Sequence, residues 1–228
     1  MDSKKSVSML EFENNSQIGM YFLATDKFVL CGKKELTPEQ IKQIENVLHV
    51  PLISISCYNS DLIGVFLQVD KGSNIIYVPH DLYEEELEEL NTIADKYEFS
   101  IVRVVSTNNA LGNLIAPTPT SNIISYELKS QKSFIEKQSK KETLILTNED
   151  YHQAGALVYS SNSKTLASSL LDDESLEKIE SSVDNITTAN SGSAYVSSAI
   201  VGNSYGVLVG SATTSVEVQI ILETLEYL

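Results

Sequence analysis

The chain has 228 residues, with 31 acidic against 16 basic side chains and a formal net charge of −15. This charge excludes naked nucleic acid as the main partner, because phosphate contacts require a high density of lysine and arginine. The apolar runs reach only about seven residues, far short of the roughly 20 that a membrane-spanning helix needs, and residues 1–15 do not resemble a secretory leader.

Small residues recur about every 45 residues and divide the chain into five similar units. The aligned positions are Gly19, Gly64, Gly112, Gly155 and, in degenerate form, Ala199. Each is followed by an apolar run, a turn rich in Gly, Pro, Asn, Asp or Ser, and a second apolar run, a pattern typical of a β-hairpin. The second runs are FVLCG at 28–32, IIYVP at 75–79, IISYEL at 123–128, TLASS at 165–169 and GVLVGS at 206–211.

A helix is predicted after each hairpin, because apolar residues recur there at i, i+3, i+4 and i+7. The first helix should bury the apolar face formed by Ile41, Ile44, Val47 and Leu48. The third helix should have only one or two turns, since Phe134 and Ile135 lie in a lysine-rich stretch. The predicted N-terminal caps are Thr37 with Gln40, Asp81 with Glu84, Asp172 or Asp173, and Thr214 with Glu217.

We expect an extended segment after each of the first four helices, but none after the fifth, because the sequence ends at Leu228. Residues 7–12, VSMLEF, have strand composition and no helix of their own. We therefore expect this segment to complete the fifth unit, which would close the chain into an α/β ring and remove exposed sheet edges. The prediction is a single domain over 1–228, with repeats near 13–58, 59–106, 107–148, 149–190 and 191–228.

The residues show no pattern of a reactive centre. His49, His80 and His152 lie in three different units, which does not favour a metal site. Cys31 and Cys57 lie in strand-like runs, and we interpret both as reduced, packed side chains, although a Cys–His pair could still form in three dimensions. The sequence thus predicts no catalytic residue, metal or cofactor, and favours a rigid acidic body that binds a partner.

Three segments resemble the translation initiation factor 6 family of ribosome anti-association factors: FENNSQIG at 12–19, ALGN at 110–113 and GVLVGSATTSVEVQIILETL at 206–225. The ENN form is more similar to the eukaryotic branch than to the archaeal one. The resemblance covers almost the whole chain. It implies a pentein fold, in which five quasi-identical α/β units surround a pseudo-fivefold axis.

The resemblance also implies a function without catalysis. Members bind the intersubunit face of the large ribosomal subunit, contact ribosomal proteins near the sarcin–ricin loop, and block joining with the small subunit. They accompany late maturation of the large subunit, and their release involves a GTPase and its helper protein. We therefore expect a monomer without membrane contact in the cytoplasm, and also in the nucleus and nucleolus if the source is eukaryotic.

The ALGN match implies that Asn113 contacts a protein of the large subunit, while Leu111 and Gly112 shape its turn. Glycine at such a turn should permit a positive φ. The equivalent turns should present their residues on the same end of the ring as further ribosome-binding candidates, namely Asn14, Asn15, Asp61, Leu62, His152 and Tyr195. For Asn113, a role confined to capping its own turn remains an alternative.

Two other functions remain open at this point. Some penteins are guanidine-modifying enzymes that use a cysteine, a histidine and acidic residues around the central channel. This chain resembles them only through the fold, because both of its cysteines fall within the first 57 residues. The other possibility is a scaffold for a partner unrelated to the ribosome.

Overall fold

The computed structural model describes residues 5–148 and 150–228. The strands in this part of the chain are β1 Ser6–Leu10, β2 Phe22–Ala24, β3 Val29–Cys31, β4 Leu52–Ser54, β5 Gln68–Asp70, β6 Ile75–Pro79, β7 Ser100–Val104, β8 Ile115–Pro117, β9 Ser121–Ser125, β10 Glu142–Leu146, β11 Val158–Ser161, β12 Lys164–Ser168, β13 Asn185–Thr187, β14 Ile200–Gly202 and β15 Gly206–Gly210. The longer helices are α1 Pro38–Leu48, α2 Glu84–Tyr97, α3 Lys132–Ser139, α4 Asp173–Ile179 and α5 Ser215–Thr224.

The strands form five three-stranded sheets of one design. In the first sheet, β2 and β3 form an antiparallel hairpin, and α1 then carries the chain back so that β4 lies parallel to β3. Leu30 of the middle strand pairs with Leu23 on one side and Ile53 on the other. A parallel pair requires such a crossover connection, which explains why one helix accompanies each sheet.

The first strand of the chain closes the ring. In the fifth sheet β15 lies between β14 and β1, and Val7 pairs with Val207 in the parallel β1–β15 ladder. A short helical turn precedes the first strand of each sheet, at residues 18–20, 63–66, 111–114, 154–157 and 197–199. Each turn contacts the next one, and the last contacts the first. The predicted fold class, a closed ring of five α/β repeats, is confirmed.

The closing strand is shorter than the segment expected for it. It ends at Leu10, so that Glu11 and Phe12 of the expected segment 7–12 lie beyond it. Phe12 instead forms an isolated bridge with Asn15. The division of the single domain into repeats at the five predicted boundaries stays a prediction.

The apolar core is shared between neighbouring repeats. One cluster joins Val29 and Ile44 of the first repeat to Val201 and Leu208 of the fifth. Ile44 and Leu48 of α1 are fully buried, and each such side chain contributes about 1.5–3 kcal/mol through the hydrophobic effect. The predicted burial of Ile41 was wrong. It is 36% exposed at the edge of the apolar stripe.

Most helix starts agree with the sequence. Capping boxes form at Thr37 with Gln40 and at Thr214 with Glu217, and Asp172 caps α4. The third helix was expected to have one or two turns at most; α3 has 8 residues, slightly more than two turns, and a 3-10 helix at Tyr126–Gln131 leads directly into it. The predicted cap at Asp81 was wrong, because α2 begins only at Glu84, after Tyr83. The carboxylate of Asp81 instead accepts hydrogen bonds from Tyr58 and Asn109 of the adjoining turns, and these bonds, above all that from Tyr58, lower its pKa.

Candidate binding face at one mouth of the central channel

The first strand of every sheet lines a narrow channel along the ring axis. Leu23 of β2, Val69 of β5, Ala116 of β8, Tyr159 of β11 and Val201 of β14 all border it. The short helical turns stand at one end of these strands, and the hairpin turns stand at the other. The channel therefore has two mouths of different construction.

Glycines allow the helical turns to approach one another closely. A Cβ atom added at Gly112 would lie 2.7 Å from the carbonyl oxygen of Leu67 and still closer to that of Gly64. The expected positive φ was wrong, because Gly192 alone among the described glycines has one. The requirement for glycine at Gly112 comes from backbone packing against the preceding turn.

The fifth repeat aligns differently from the sequence interpretation. An added Cβ at Gly64 would collide with the carbonyl oxygen of Gly19, and one at Gly19 would collide with that of Ser197. Ser197, and not Ala199, is therefore the counterpart of the glycines. The small size of Ala199 suggested the wrong match, since two serines and an alanine follow one another there.

One side chain from each repeat converges on the mouth that the helical turns form. These residues directly follow the glycines or Ser197, and three residues of the preceding turns surround them. We call the resulting surface, which encloses a depression of about 320 Å³, the mouth face; it is lined by Gln17, Met20, Val65, Asn113, Gln153, Ala156, Tyr195 and Ser198. None of these residues carries a formal charge at neutral pH, although the protein as a whole carries −15.

Asn113 has a free amide on this face. Within residues 5–148 and 150–228, its side chain makes no hydrogen bond to another residue, and it is half-buried. The stabilising role in this turn belongs to Asn108, whose Oδ1 accepts from the amide of Ala110 at 3.0 Å. Asn108 also donates to Glu127 at 2.9 Å. The side-chain amide of Asn113 is thus left available for an external partner.

The other predicted residues of the third and later turns lie in or beside the mouth face. Tyr195 is 39% exposed on it. His152 lies next to the face, with Nε2 at 3.2 Å from Nε2 of Gln153 and 3.3 Å from a carboxylate oxygen of Glu127. Leu111 and Gly112 are buried, so they can position Asn113 but cannot themselves contact a partner.

The remaining predicted residues lie outside the mouth face: Asp61, Leu62, Asn14 and Asn15. Oδ1 of Asp61 accepts from the backbone amide of Lys34 at 3.0 Å. Asn15 stabilises its own turn by accepting from the amide of Gln17 at 2.9 Å. Asn14 is exposed with φ of 56°, and Leu62 is half-buried just before its helical turn. The structure therefore does not bring all nine predicted residues together.

Six residues of the mouth face were missed by the sequence interpretation: Gln17, Met20, Val65, Gln153, Ala156 and Ser198. The repeat itself contained the signal. Four of the five residues that directly follow the aligned small positions, Met20, Val65, Asn113 and Ala156, lie on the face. Only the misaligned fifth unit would have given a wrong residue by this rule.

The channel lining holds few titratable side chains. Among the described residues that border it there is no cysteine, histidine or carboxylate, and the titratable groups are Lys71 and Tyr159. Cys31 and Cys57 are free and buried elsewhere, and burial raises the pKa of both thiols. Within the described ranges, three or more histidine, cysteine or acidic side chains nowhere form a cluster suited to a metal ion. In the same ranges, every helix is too short or too polar to span a bilayer.

A closed ring of five α/β repeats around a channel defines the pentein class of folds. Within this class, residues 7–224 match the model of the eIF-6 family, and the chain belongs to this family. It is 33% identical over 97% of its length to translation initiation factor 6 of Thermococcus onnurineus, of which it covers 99%. The protein of that name from Methanocaldococcus jannaschii is 29% identical, with 94% of this chain and 95% of that one covered.

Solved structures of the N-terminal domain of ArgZ, an arginine dihydrolase from cyanobacteria, are more distant. The product-bound form is 12% identical, with a TM-score of 0.49 over 75% of this chain. The chain spans 66% of the length of that domain. The relatives named above are archaeal, so the expected similarity to the eukaryotic branch stays a prediction.

Proposed function

We propose that this protein binds the large ribosomal subunit through the mouth face and prevents the small subunit from joining it. The observation that carries the proposal is the uncharged mouth face in a protein of net charge −15. The centres of protein interfaces are depleted in charged residues and enriched in tyrosine and methionine. Membership of the eIF-6 family makes a ribosomal partner the natural choice.

The partner on the subunit should be protein and not bare RNA. An acidic body is repelled by phosphate but attracted by the basic proteins of the ribosome. The closed ring is stiff, so that docking costs little ordering entropy. A footprint of roughly 1,200–2,000 Å² is enough for a stable complex, and bound protein of this size blocks subunit joining by occupying the space.

The finer roles are proposed on the resemblance to the family. We include ribosomal proteins near the sarcin–ricin loop as contacts, participation in late maturation of the large subunit, and release by a GTPase with its helper protein. The protein acts as a monomer in the cytoplasm, and also in the nucleus and nucleolus if its source is eukaryotic. We also propose that it acts without catalysing a reaction, because its relatives are named as translation initiation factors.

A subunit-joining experiment tests the proposal. Purified large and small subunits from the source organism are mixed with and without the protein at a magnesium concentration that favours joining, and are then separated on a sucrose gradient. We expect the subunits to remain apart and the protein to sediment with the large one. Normal joining with the protein left at the top of the gradient would overturn the proposal.

Variants at Asn113 locate the contact on the mouth face. Asn113→Ala should weaken binding to the large subunit by about 1–3 kcal/mol, the cost of leaving an interfacial hydrogen bond unmade. It should leave the melting temperature nearly unchanged, since the Asn113 amide makes no hydrogen bond within the described residues. Asn91→Ala on the exposed surface of α2 is the matched control and should bind normally. Equal binding by both variants would contradict the assignment of the face.

A further inference from the structure

The mouth of the channel opposite the mouth face is formed by hairpin turns. A vestibule of about 300 Å³ opens there, bordered by Asp26, Lys71, Asn162 and Ser204 among others. Lys71 belongs both to this vestibule and to the lining of the channel. The family function proposed above makes no use of this end of the ring.

Lys71 reaches across the channel axis from the second repeat. Its Nζ donates a hydrogen bond to the carbonyl oxygen of Gly202 in the fifth repeat at 2.7 Å. The same ammonium lies 5.6 Å from the ring centroid of Tyr159 in the fourth repeat, whose hydroxyl donates to the same carbonyl at 3.2 Å. A single lysine thus spans three repeats.

The environment of this ammonium differs from that of the paired lysines. Across residues 5–148 and 150–228, no carboxylate forms an ion pair with Lys71, whereas Lys141, whose side chain is largely buried, pairs with Asp70 at 2.8 Å. Lys71 is half-buried and borders both the channel and the vestibule. The amine is therefore desolvated but has a route to small solutes.

We propose that Lys71 is a site of selective acylation by small acyl phosphates that enter through the vestibule. The neutral amine attacks the carbonyl carbon of the acyl group, a C–N bond forms, and the C–O bond to phosphate breaks. Phosphate leaves with the electron pair of that bond, and the proton of the amine passes to solvent. The product is an amide without charge, which ends the cation–π contact with Tyr159.

The desolvation of Lys71 raises the fraction of its amine that is neutral near pH 7. Burial lowers the pKa of Lys71 from 10.5 to about 8, although the charge of Asp26 acts in the opposite direction. An amine with a pKa of about 8 is roughly 10% neutral at pH 7, whereas an ordinary lysine is about 0.03% neutral. Lysines whose pKa falls through burial serve as nucleophiles for this reason.

The test compares Lys71 with Lys96 in the intact protein. Lys96 also lies over an aromatic ring, at 5.0 Å from the centroid of Tyr97, but it is exposed on the outer side of the ring. The protein is treated with limiting acetyl phosphate between pH 6.5 and 9.5, and acetylation of each lysine is measured by mass spectrometry. At pH 7 we expect Lys71 to react at least about tenfold faster than Lys96, and its rate to level off above about pH 8.

Either of two results on the unmodified protein would overturn the proposal. One is an unmodified Lys71 under conditions that acetylate Lys96, which would mean that the vestibule does not admit the reagent. The other is a rate at Lys71 that rises with pH in parallel with the rate at Lys96. Lys71→Arg serves as the control for site assignment, and it should remove the fast phase of acetyl incorporation at pH 7. Persistence of that phase would also count against the proposal.

Discussion

Replacing Gly112 by alanine should destabilise the ring at its axis. The added Cβ would lie 2.7 Å from the carbonyl oxygen of Leu67 and even closer to the carbonyl oxygen of Gly64, whereas ordinary van der Waals contacts begin at 3.4 Å. Both obstacles are backbone atoms of the neighbouring turn, so relief requires one repeat to move against another. Overpacking usually costs about 1–3 kcal/mol where side chains can adjust, and we expect about 3–5 kcal/mol here because they cannot.

Urea unfolding followed by circular dichroism measures this cost. Gly72→Ala is the matched control, since the nearest neighbours of its Cβ would all be side-chain atoms: Nζ of Lys141 at 3.3 Å, Oδ1 of Asp70 at 3.5 Å and Cε of Lys141 at 3.8 Å. We expect that variant to remain within about 1 kcal/mol of the unmodified protein. If Gly112→Ala does not fold, Gly19→Ala offers a second case against the backbone of Ser197 and Ser198. A loss below 1 kcal/mol in both axial variants would refute the close-packing argument.

Two further predictions concern buried charges. Burial would raise the pKa of Glu217, but hydrogen bonds from Thr188, Thr214 and Gly192 hold it at about 2, below the ordinary 4.5. Its contribution of about 1–2 kcal/mol, allowing for solvent screening, is therefore present above pH 4.5 and lost as the pH falls toward 2. In the Glu217→Gln variant the free energy of unfolding should fall less steeply between about pH 4.5 and 2 than in the unmodified protein. The same pH dependence in both proteins would contradict this. Lys141→Met should lower the free energy of unfolding by about 2–4 kcal/mol, because it leaves the buried carboxylate of Asp70 without its ion pair. Adding Asp70→Asn should recover part of this loss, as measured by urea titration. Additive effects of the two substitutions would show that the pair is not coupled.

The sequence was sufficient for the architecture because the architecture depends on local patterns. Capping residues such as Thr37 and Thr214 act within one helical turn, and their helices begin where the sequence predicts. The predicted helix cap at Asp81 was wrong because its carboxylate accepts hydrogen bonds from residues of other turns, Tyr58 and Asn109. Such competition between partners depends on tertiary contacts that a local pattern does not contain.

The candidate face was only partly predictable for a similar reason. Asn15, Asn108 and Asn113 all lie in or near the turns that lead into the helical turns, yet the first two stabilise those turns while the third has a free amide. Residue type does not distinguish these roles. The five-fold alignment does, because Asn113 is one of the five residues that directly follow the axial small residues, and all five lie on the mouth face.

The close approach of the helical turns also determines what the protein can recognise. Because glycines let four of the five turns pack closely against the preceding one, the five following side chains come from five distant parts of the chain and yet form one continuous patch. Their positions are fixed by backbone contacts on both sides, so binding requires little ordering of the patch. A bulky residue at Gly112 or Gly155 would separate neighbouring repeats and spread this patch, even if the outer helices stayed folded. Loss of recognition should therefore accompany loss of axial packing, while changes on the outer helices should leave recognition unaffected.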